Sequence, residues 1–495
     1  MEERFNLIDE GWIPISGKNP ASLREIFSAT DCSELGGTSI QKLAVLKLLL
    51  AIAQRTITPK DTKEWEALGV EGLGKACSQY LEQKHDLFYL HGERPFLQFP
   101  ILAQWKTNKG EPLPIMPIGR PYHPDIPSDN DTVINQMQLN RIPNDAQKAL
   151  FLVSIMNYSF GGKRVSYIPP LSEGFDSKGK SAKSGPSLGN YNGYMQSCFW
   201  GNTVLETVWL NLLTRWELSQ FPQWEKDELI PPWEEMPEGE DDEVARRLKS
   251  SYMGTLVGLS RFVLLQKDGV LYAEGIQYPS HKEGWREPFM TLRGEDKVNF
   301  LDMGRKPWRN LDALLSLSLS TVDRGITCPQ IQMLLPRTRK AVSSFGLYSG
   351  GLKVRGNAGD QSVKQTDDFI NSLIWLDSQV LGQEWFQTLE AEMKWLETTA
   401  FILKRCVSNY LKELKEIKSS LEEVAEGDFW RYCESIFQDI VYACDSPDRL
   451  PSIRQSLIRY AEGLYDTYCG HETARQIVSW VKHRPNFRLE TKKEG

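Results

Sequence analysis

Side chains capable of hydrolytic chemistry are scattered along this chain of 495 residues. A hydrolase or nuclease site needs converging carboxylates or a cluster of metal ligands. The eight cysteines form no C-x-x-C pair, so we expect buried, reduced thiols, no bound metal and no cofactor. The six histidines have neither the H-x-x-x-H nor the H-E-x-x-H spacing, and they are His85, His91, His123, His281, His471 and His483. The sequence therefore favours a binding protein over an enzyme.

A pair of glycines next to two cations ends a helical pattern in "MNYSFGGKRVSYIPP", residues 156–170. One interpretation is helix termination, with Gly161 or Gly162 left-handed and Lys163 and Arg164 complementing the helix dipole. The other is that bare backbone enters a DNA groove, since the minor groove is only about 6 Å wide. The two interpretations are compatible.

A second unusual stretch, "GGLKVRGNAGDQSVK" at 350–364, has the alternation of a β-hairpin with a basic edge. Asp360 is the single acid among residues 336–364. A rigid hairpin could be an ordinary surface feature, or it could wedge between base pairs. Unstacking costs a few kcal/mol per step, so a wedge needs cations on nearby phosphates. The candidates for these phosphate contacts are Arg337, Arg339, Lys353 and Arg355.

Charge and hydropathy limit the class of protein. The formal net charge of −7 argues against a protein that coats nucleic acid indiscriminately, but screening over about 10 Å leaves room for local basic patches. The N-terminus lacks the apolar core of a signal peptide. The longest apolar patch, residues 43–53, is too short to span a bilayer. We therefore expect a cytoplasmic protein with no membrane partner.

The elements that position these stretches indicate an α+β chain. The length predicts more than one domain. We expect a large mixed domain of helices and small sheets over residues 1–365, and a C-terminal four-helix bundle over residues 366–495. Apolar residues step by four and three from Leu389 to Ile417, which is typical of a bundle helix. Three further helical runs are expected near residues 427–445, 449–469 and 471–482.

Within the mixed domain, Ser39 is the expected N-cap of a strongly apolar helix and Asp145 opens another. Residues 86–100 are expected to form two strands joined by a turn. Residues 107–143, which are rich in Pro, Asn and Asp, are expected to form a long loop, and such loops are often functional. Residues 251–365 are expected to be mainly strands and turns, and residues 224–243 an acidic surface insertion.

The order of these segments resembles the CasA family, the large subunit of Cascade, the type I-E CRISPR surveillance complex. The resemblance lies in "FNLIDEGWIPI", then "DLFYLHGERPFLQ", then Asn135-Gln136 before a helix, "FGG" at 160–162, and "GLYSGG" before a hairpin. A helical C-terminal third completes it. It extends over nearly the whole length of the chain.

The resemblance implies a non-catalytic subunit that recognises the protospacer-adjacent motif (PAM) of double-stranded DNA from the minor groove. The glycine loop of the family corresponds to Phe160, Gly161 and Gly162, followed by Lys163. The lysine finger corresponds to Lys267, with Lys282 as the alternative. The wedge corresponds to the hairpin tip, where Asn357 and Ala358 insert, or Gln361 does.

The same resemblance implies the partners. The loop around residues 130–143 would dock on the 5′ handle of the crRNA, with Val133, Ile134, Asn135 and Gln136 at its core. The other partners would be target DNA, the backbone, handle-capping and small subunits of Cascade, and either a recruited helicase-nuclease or a nuclease-bearing subunit. Two alternatives are an assembly subunit that does not read DNA and a metal-dependent nuclease.

Overall fold

The structure is a computed structural model, and parts of the chain fall outside its description. It describes residues 3–28, 32–118, 142–160, 168–172, 193–224, 227–279, 285–294, 297–319, 325–357, 360–363, 367–416 and 420–487. Helices and strands both occur throughout the larger part of the chain, whereas the C-terminal part is helical, which confirms the α+β class.

The helices have these bounds in chain order: α1 Leu23–Ser28, α2 Ser39–Thr56, α3 Thr62–Gln83, α4 Asp145–Tyr158, α5 Val204–Asn211, α6 Arg215–Ser219, α7 Glu243–Lys249, α8 Tyr252–Leu256, α9 Leu311–Leu319, α10 Pro329–Ala341, α11 Gln383–Leu414, α12 Leu421–Ala443, α13 Leu450–Tyr468 and α14 Ala474–His483. The strands are β1 Arg4–Asn6, β2 Tyr89–His91, β3 Gln196–Trp200, β4 Arg261–Leu265, β5 Val270–Glu274, β6 Leu292–Arg293, β7 Lys297–Val298, β8 Ile326–Thr327, β9 Ser344–Leu352, β10 Arg355–Asn357, β11 Asp360–Ser362 and β12 Phe369–Asp377.

The chain divides into two compact units. The first comprises Met1–Pro307 and Gly325–Leu373, and the second Trp308–Arg324 and Ile374–Gly495. The second unit thus includes a segment, Trp308–Arg324, that the sequence analysis placed in the mixed domain. Its Trp308 ring lies 4.2 Å from the Phe437 ring, and the Arg309 guanidinium lies 3.5 Å from the centre of the Trp430 ring. These contacts with α12 explain why Trp308 and Arg309 belong to the second unit.

The core of the first unit surrounds α2, which is apolar on all sides and packs against α3, α4, α5, α8 and β9. Lys47 lies in the middle of this helix with no exposed surface, and its Nζ donates to Glu287 over 3.0 Å. Burial lowers the pKa of Lys47 and raises that of Glu287, and each charge partly offsets the effect on the other.

Small antiparallel sheets complete the first unit. The strand orders are β1–β2, β4–β5, β7–β6–β8, β10–β11 and β12–β9–β3. The central strand β9 is almost wholly buried, and its register with β3 runs from Gln196 opposite Gly350 to Trp200 opposite Gly346. The chain passes from the first unit to the second within β12.

Helices α11 to α14 pack on one another in the second unit, together with α9. The seam predicted on α11 is buried at Leu389, Met393, Leu396, Ala400, Leu403, Val407 and Tyr410. The helix ends at Leu414, where Lys415 has the left-handed φ of 68°. The heptad pattern therefore gave the correct buried face over most of this helix.

Several local predictions were wrong. The N-cap of α2 is Thr38, which forms a capping box with Gln41, whereas the Ser39 hydroxyl donates to the Gly351 carbonyl. Residues 92–99 form no strand. Residues 329–341, within the stretch that was expected to be mainly strands and turns, form a helix. Pro329 lies in its first turn, where a missing N–H costs nothing.

Candidate nucleic-acid interface

Helix α4 packs against β4 and connects the two loops that the sequence analysis singled out. Asn144 caps its N-terminus through a capping box with Gln147, and Ser159 follows its last turn. Fourteen residues span about 21 Å, so the loop before α4 and the loop after it are separated by roughly that distance. The residues from Phe151 to Tyr158 are all buried, which makes α4 a rigid spacer between the loops.

The C-terminal end of α4 is held by β4. Arg261, which has no exposed surface, donates to the Phe160 carbonyl over 3.0 Å and forms an ion pair with Glu274. The Ser159 and Ser260 hydroxyls lie 2.9 Å apart. The Phe160 side chain is itself fully buried. This residue was expected to contact DNA through its backbone, and its buried side chain anchors that backbone at the entrance to the glycine pair.

The N-terminal end of α4 is held by the turn between β4 and β5, which carries Lys267. The Lys148 ammonium donates to the Gln266 and Lys267 carbonyls over 3.0 and 2.9 Å. Burial lowers the pKa of Lys148, although Asp145 partly opposes this effect. The Lys267 side chain is exposed. One buried lysine therefore fixes the backbone that presents the candidate lysine finger.

The same turn holds the residues that precede the long loop. Met116 and Val270 exchange two backbone hydrogen bonds of 2.9 and 2.8 Å. Gly269 makes this approach possible, because a Cβ atom there would lie 2.2 Å from the Met116 carbonyl oxygen. The hairpin β4–β5 thus contacts residues on both sides of the segment 119–141, which lies outside the described residues.

Residues 168–172, which follow the glycine pair, are also anchored. The buried Glu240 carboxylate accepts from the backbone N–H groups of Leu171 and Ser172 over 3.0 and 2.8 Å. The Trp105 indole donates to the Pro169 carbonyl over 3.2 Å. Trp224 and Trp233 are buried with Glu240, so the acidic stretch 224–243 is not the surface insertion that its composition indicated.

The second predicted hairpin is confirmed as β10–β11. Asn357 pairs with Asp360 and Gly356 with Gln361, so only two residues, 358 and 359, separate the paired positions. Arg355 forms a 3.0 Å ion pair with the buried Asp367 carboxylate, and its side chain remains 53% exposed. The Lys353 ammonium donates to the Leu301 carbonyl. Both cations therefore lie at the base of the hairpin.

Arg337 does not belong to this group of cations. Its guanidinium is buried, bonds to Glu217 over 3.1 Å and to the Leu212 carbonyl, and lies 4.2 Å from the centre of the Trp65 ring. Burial lowers its pKa to about 10, against the opposing charge of Glu217. The expected phosphate contact is wrong, because a phosphate cannot reach a guanidinium enclosed in the core. Arg339 is half-buried, two residues further along α10.

Several expected site residues lie outside the described residues: Gly161, Gly162, Lys163, Ala358, Val133, Ile134, Asn135 and Gln136. The structure gives the backbone of Asn357 and Gln361. Sequence reasoning missed Arg261, Lys148 and Glu240. For Arg261 the available signal was a single charge within an apolar stretch, whereas Glu240 lies in an acidic run that gave no such signal.

Two segments that match the consensus of catalytic motifs were also missed by sequence reasoning. "GFDSKGKS" at 174–181 has the letters of a phosphate-binding loop, and "GPSLG" at 185–189 those of a nucleophile turn. Both motifs belong between a strand and a helix. Both motifs lie in residues 173–192, which are outside the described residues. The described residues before them, 168–172, form no strand, and the first described element after them is the strand β3. The surroundings therefore do not favour either site.

Among the residues that the structure describes, no group of three or more His, Cys, Asp or Glu side chains comes close enough to hold a metal ion. Within the same ranges, no helix is long and apolar enough to cross a membrane.

Residues 6–464 match the family of the CRISPR-associated protein Cse1. The chain belongs to the Cse1 family. This membership confirms the resemblance to CasA, the large subunit of type I-E Cascade. The CRISPR-associated protein CasA/Cse1 of Thermus thermophilus is 27% identical over 345 residues, which are 63% of this chain and 60% of that relative.

Solved Cse1 structures share the fold. Cse1 of Thermobifida fusca has a TM-score of 0.70 at 19% identity, over 97% of this chain and 96% of the other. CasA of Thermus thermophilus has a TM-score of 0.67 at 19% identity, over 97% and 98%. A chain of a CRISPR RNA-guided surveillance complex, captured before nicking, has a TM-score of 0.61 at 16% identity, over 98% of both chains.

Proposed function

We propose that this Cse1 chain is the non-catalytic DNA-recognition subunit of a crRNA-guided surveillance complex. It reads the PAM of double-stranded DNA from the minor groove and wedges the duplex open to begin R-loop formation. Its backbone at Gly161 and Gly162 approaches the bases, Lys163 and Lys267 contact the groove or its phosphates, and residues 357–361 form the wedge. Family membership and the anchoring of α4 support this proposal.

The single observation that carries the proposal is the support shared by the two reading elements. Arg261 holds the chain at Phe160, immediately before the glycine pair, and Lys148 holds the turn that presents Lys267. Both anchors join α4 to the hairpin β4–β5. Recognition of a short motif requires side chains and backbone held at a fixed spacing, and buried hydrogen bonds on rigid elements provide this.

Minor-groove reading limits what can be recognised. A·T and T·A pairs present the same acceptors there, and only the guanine amino group adds a donor. Backbone carbonyls are suitable partners for that donor. The Phe160 carbonyl accepts from the buried Arg261 guanidinium. We propose that the carbonyls of residues 161 and 162 accept from the guanine amino group. We therefore expect a permissive PAM preference rather than a strict one.

The hairpin β10–β11 would then separate the first base pairs, and guide-RNA pairing would read the sequence beyond them. Arg339, Lys353 and Arg355 are the proposed phosphate contacts. The proposed partners are the crRNA handle at Val133 to Gln136, the other Cascade subunits, and a helicase-nuclease or a nuclease-bearing subunit.

The test is PAM-dependent binding of duplex DNA to the reconstituted complex at fixed salt, since phosphate contacts make affinity depend strongly on salt. Four chains are compared: wild type, Gly162→Asp, Lys267→Ala, and a variant with residues 356–361 replaced by Ala and Ser. Lys63→Ala is the matched control, because Lys63 is an exposed lysine on α3.

We expect Gly162→Asp to abolish PAM preference, Lys267→Ala to weaken binding, and the hairpin variant to bind the PAM without opening the duplex. Permanganate reactivity of unpaired thymines reports the opening. If all three variants assemble and bind like the Lys63→Ala control, the chain is an assembly subunit that does not read DNA.

A further inference from the structure

An exposed aromatic side chain lies near the base of the β10–β11 hairpin. Phe300 is 52% exposed although its neighbours Val298, Asn299 and Leu301 are all buried. Burying a phenyl ring is favourable, so a ring held in solvent by a well-packed backbone requires an explanation.

The backbone around Phe300 is fixed on both sides. The Leu301 N–H donates to the Gly193 carbonyl over 2.8 Å, and the Asn299 N–H donates to the Thr291 carbonyl over 2.9 Å. The Tyr194 ring packs edge-on against the Phe300 ring with the centroids 5.1 Å apart. The ring is thus presented on a rigid support, which lowers the entropy cost of binding a ligand.

Phe300 is next to the residues from which the hairpin starts. A Cβ atom built on Gly193 would lie 2.8 Å from Val354 Cγ2 and 3.7 Å from Phe300 Cδ1, so Val354 and Phe300 flank the same point. Val354 immediately precedes β10. The strand β10 is three residues long, so bases separated at the hairpin tip would be released within about 10 Å of this ring.

Cations flank the ring along the chain. The Arg293 guanidinium donates to the Asn299 side chain over 3.3 Å, and the Lys353 ammonium donates to the Leu301 carbonyl. Lys297 lies directly opposite Arg293 in the β6–β7 pair. Like charges in opposite positions of a strand pair repel each other. The turn between them carries Glu295 and Asp296 in the sequence, and these two residues lie outside the described residues. Among the described residues of 285–306, Asp302 is the one exposed acid.

We propose that Phe300 stacks on an unpaired base of single-stranded DNA released at the hairpin, while Arg293 and Lys297 contact the adjacent phosphates. An aromatic ring beside a basic track is the arrangement by which proteins hold single strands without reading their sequence. This inference rests on the proposed function, because the hairpin must first open the duplex.

The test uses the reconstituted complex and a duplex with a pre-opened segment next to the PAM. 2-Aminopurine replaces one unpaired base at a time in either DNA strand, and its fluorescence is quenched on stacking. The variants are Phe300→Ser, Phe300→Trp and Arg293→Gln. Phe401→Ser is the control, because Phe401 is 60% exposed on α11.

We expect one base to be quenched in the wild type and in Phe300→Trp, but not in Phe300→Ser. Phe300→Ser should also weaken binding of the opened duplex by roughly tenfold, the contribution of one stacked base. Arg293→Gln should reduce the salt dependence of binding.

Unchanged quenching in Phe300→Ser would overturn the inference, and so would impaired assembly of the complex, which would assign Phe300 to a protein contact. The inference would also be overturned if a 2-aminopurine probe in the crRNA were quenched and no probe in either DNA strand were. Absence of PAM preference in the wild-type complex would contradict the proposed function instead, since the pre-opened duplex decides the role of Phe300 without the opening step.

Discussion

Arg261 donates a 3.0 Å hydrogen bond to the carbonyl of Phe160, a residue 101 positions earlier in the chain. The guanidinium also forms an ion pair with Glu274 and lies 5.3 Å from the centre of the Tyr272 ring. A fully buried cation thus determines where the chain leaves α4 and enters the glycine pair. Removing it should affect stability and DNA recognition together.

Arg261→Leu should lower the free energy of unfolding by about 3–5 kcal/mol, the usual cost of breaking a buried ion pair from one side. It should also weaken PAM preference at temperatures where the chain remains folded. Urea denaturation and duplex binding check the two effects. Arg24→Leu is the control, because Arg24 pairs with Asp9 and Glu82 at the surface. Equal losses in both variants would contradict the anchoring role.

Gly269→Val should displace the residues that precede the long loop, because the new side chain would collide with the Met116 carbonyl. We expect weaker binding of the chain to crRNA-containing complex, with the helical second unit intact. Native gel shifts measure the binding, and far-ultraviolet circular dichroism monitors the helices. Gly427→Ala on α12 provides the comparison, since nothing lies within 4 Å of its Cβ position and alanine favours a helix.

Arg337 and Arg339 should behave in opposite ways, although they lie two residues apart on α10. Arg337→Met leaves the buried Glu217 carboxylate without its cation, so stability should fall by about 3 kcal/mol or more. Arg339→Met should leave stability within about 0.5 kcal/mol and reduce the salt slope of DNA binding by about one. A salt slope that changes in Arg337→Met but not in Arg339→Met would reverse the assignment.

Asp145, in the first turn of α4, should make stability depend on pH. Burial raises the pKa of Asp145, but His91, 2.9 Å away, and Arg4 lower it by a larger amount. The pKa of Asp145 therefore lies below the ordinary value of 3.8. A carboxylate with a depressed folded-state pKa stabilises above its unfolded value, and this stability is lost as the pH falls through the folded pKa. Asp145→Asn should therefore lower Tm near pH 7 by the equivalent of about 1 kcal/mol.

The difference in Tm between wild type and Asp145→Asn should widen below pH 6.5. Burial already lowers the pKa of His91, and without the carboxylate that favours its charged form the pKa falls further. The difference should close below pH 3.8, as Asp145 itself is protonated in the wild type. Thermal unfolding at about pH 7, 5 and 3 measures these changes. A difference in Tm that stays constant over this range would contradict a role of the Asp145 carboxylate in the pH dependence.

Local patterns in the sequence were sufficient to predict several of the helices and one of the hairpins. The seam on α11, the all-apolar α2, the bounds of α4 and the β10–β11 hairpin could be predicted because helix and strand periodicity depends on neighbours a few residues apart. The glycine pair and the basic stretch around the hairpin could be singled out for the same reason. The order of these segments was also sufficient to indicate the family.

Only the tertiary structure decided which charges face solvent. Arg337 and Arg339 look alike in sequence, yet Arg337 is enclosed because Glu217, 120 residues earlier in the chain, provides its counter-charge. Arg261, Lys148 and Glu240 act as anchors through carbonyls and N–H groups on distant segments. A buried charge is stable only where partners from elsewhere in the fold replace water, and no local pattern records those partners.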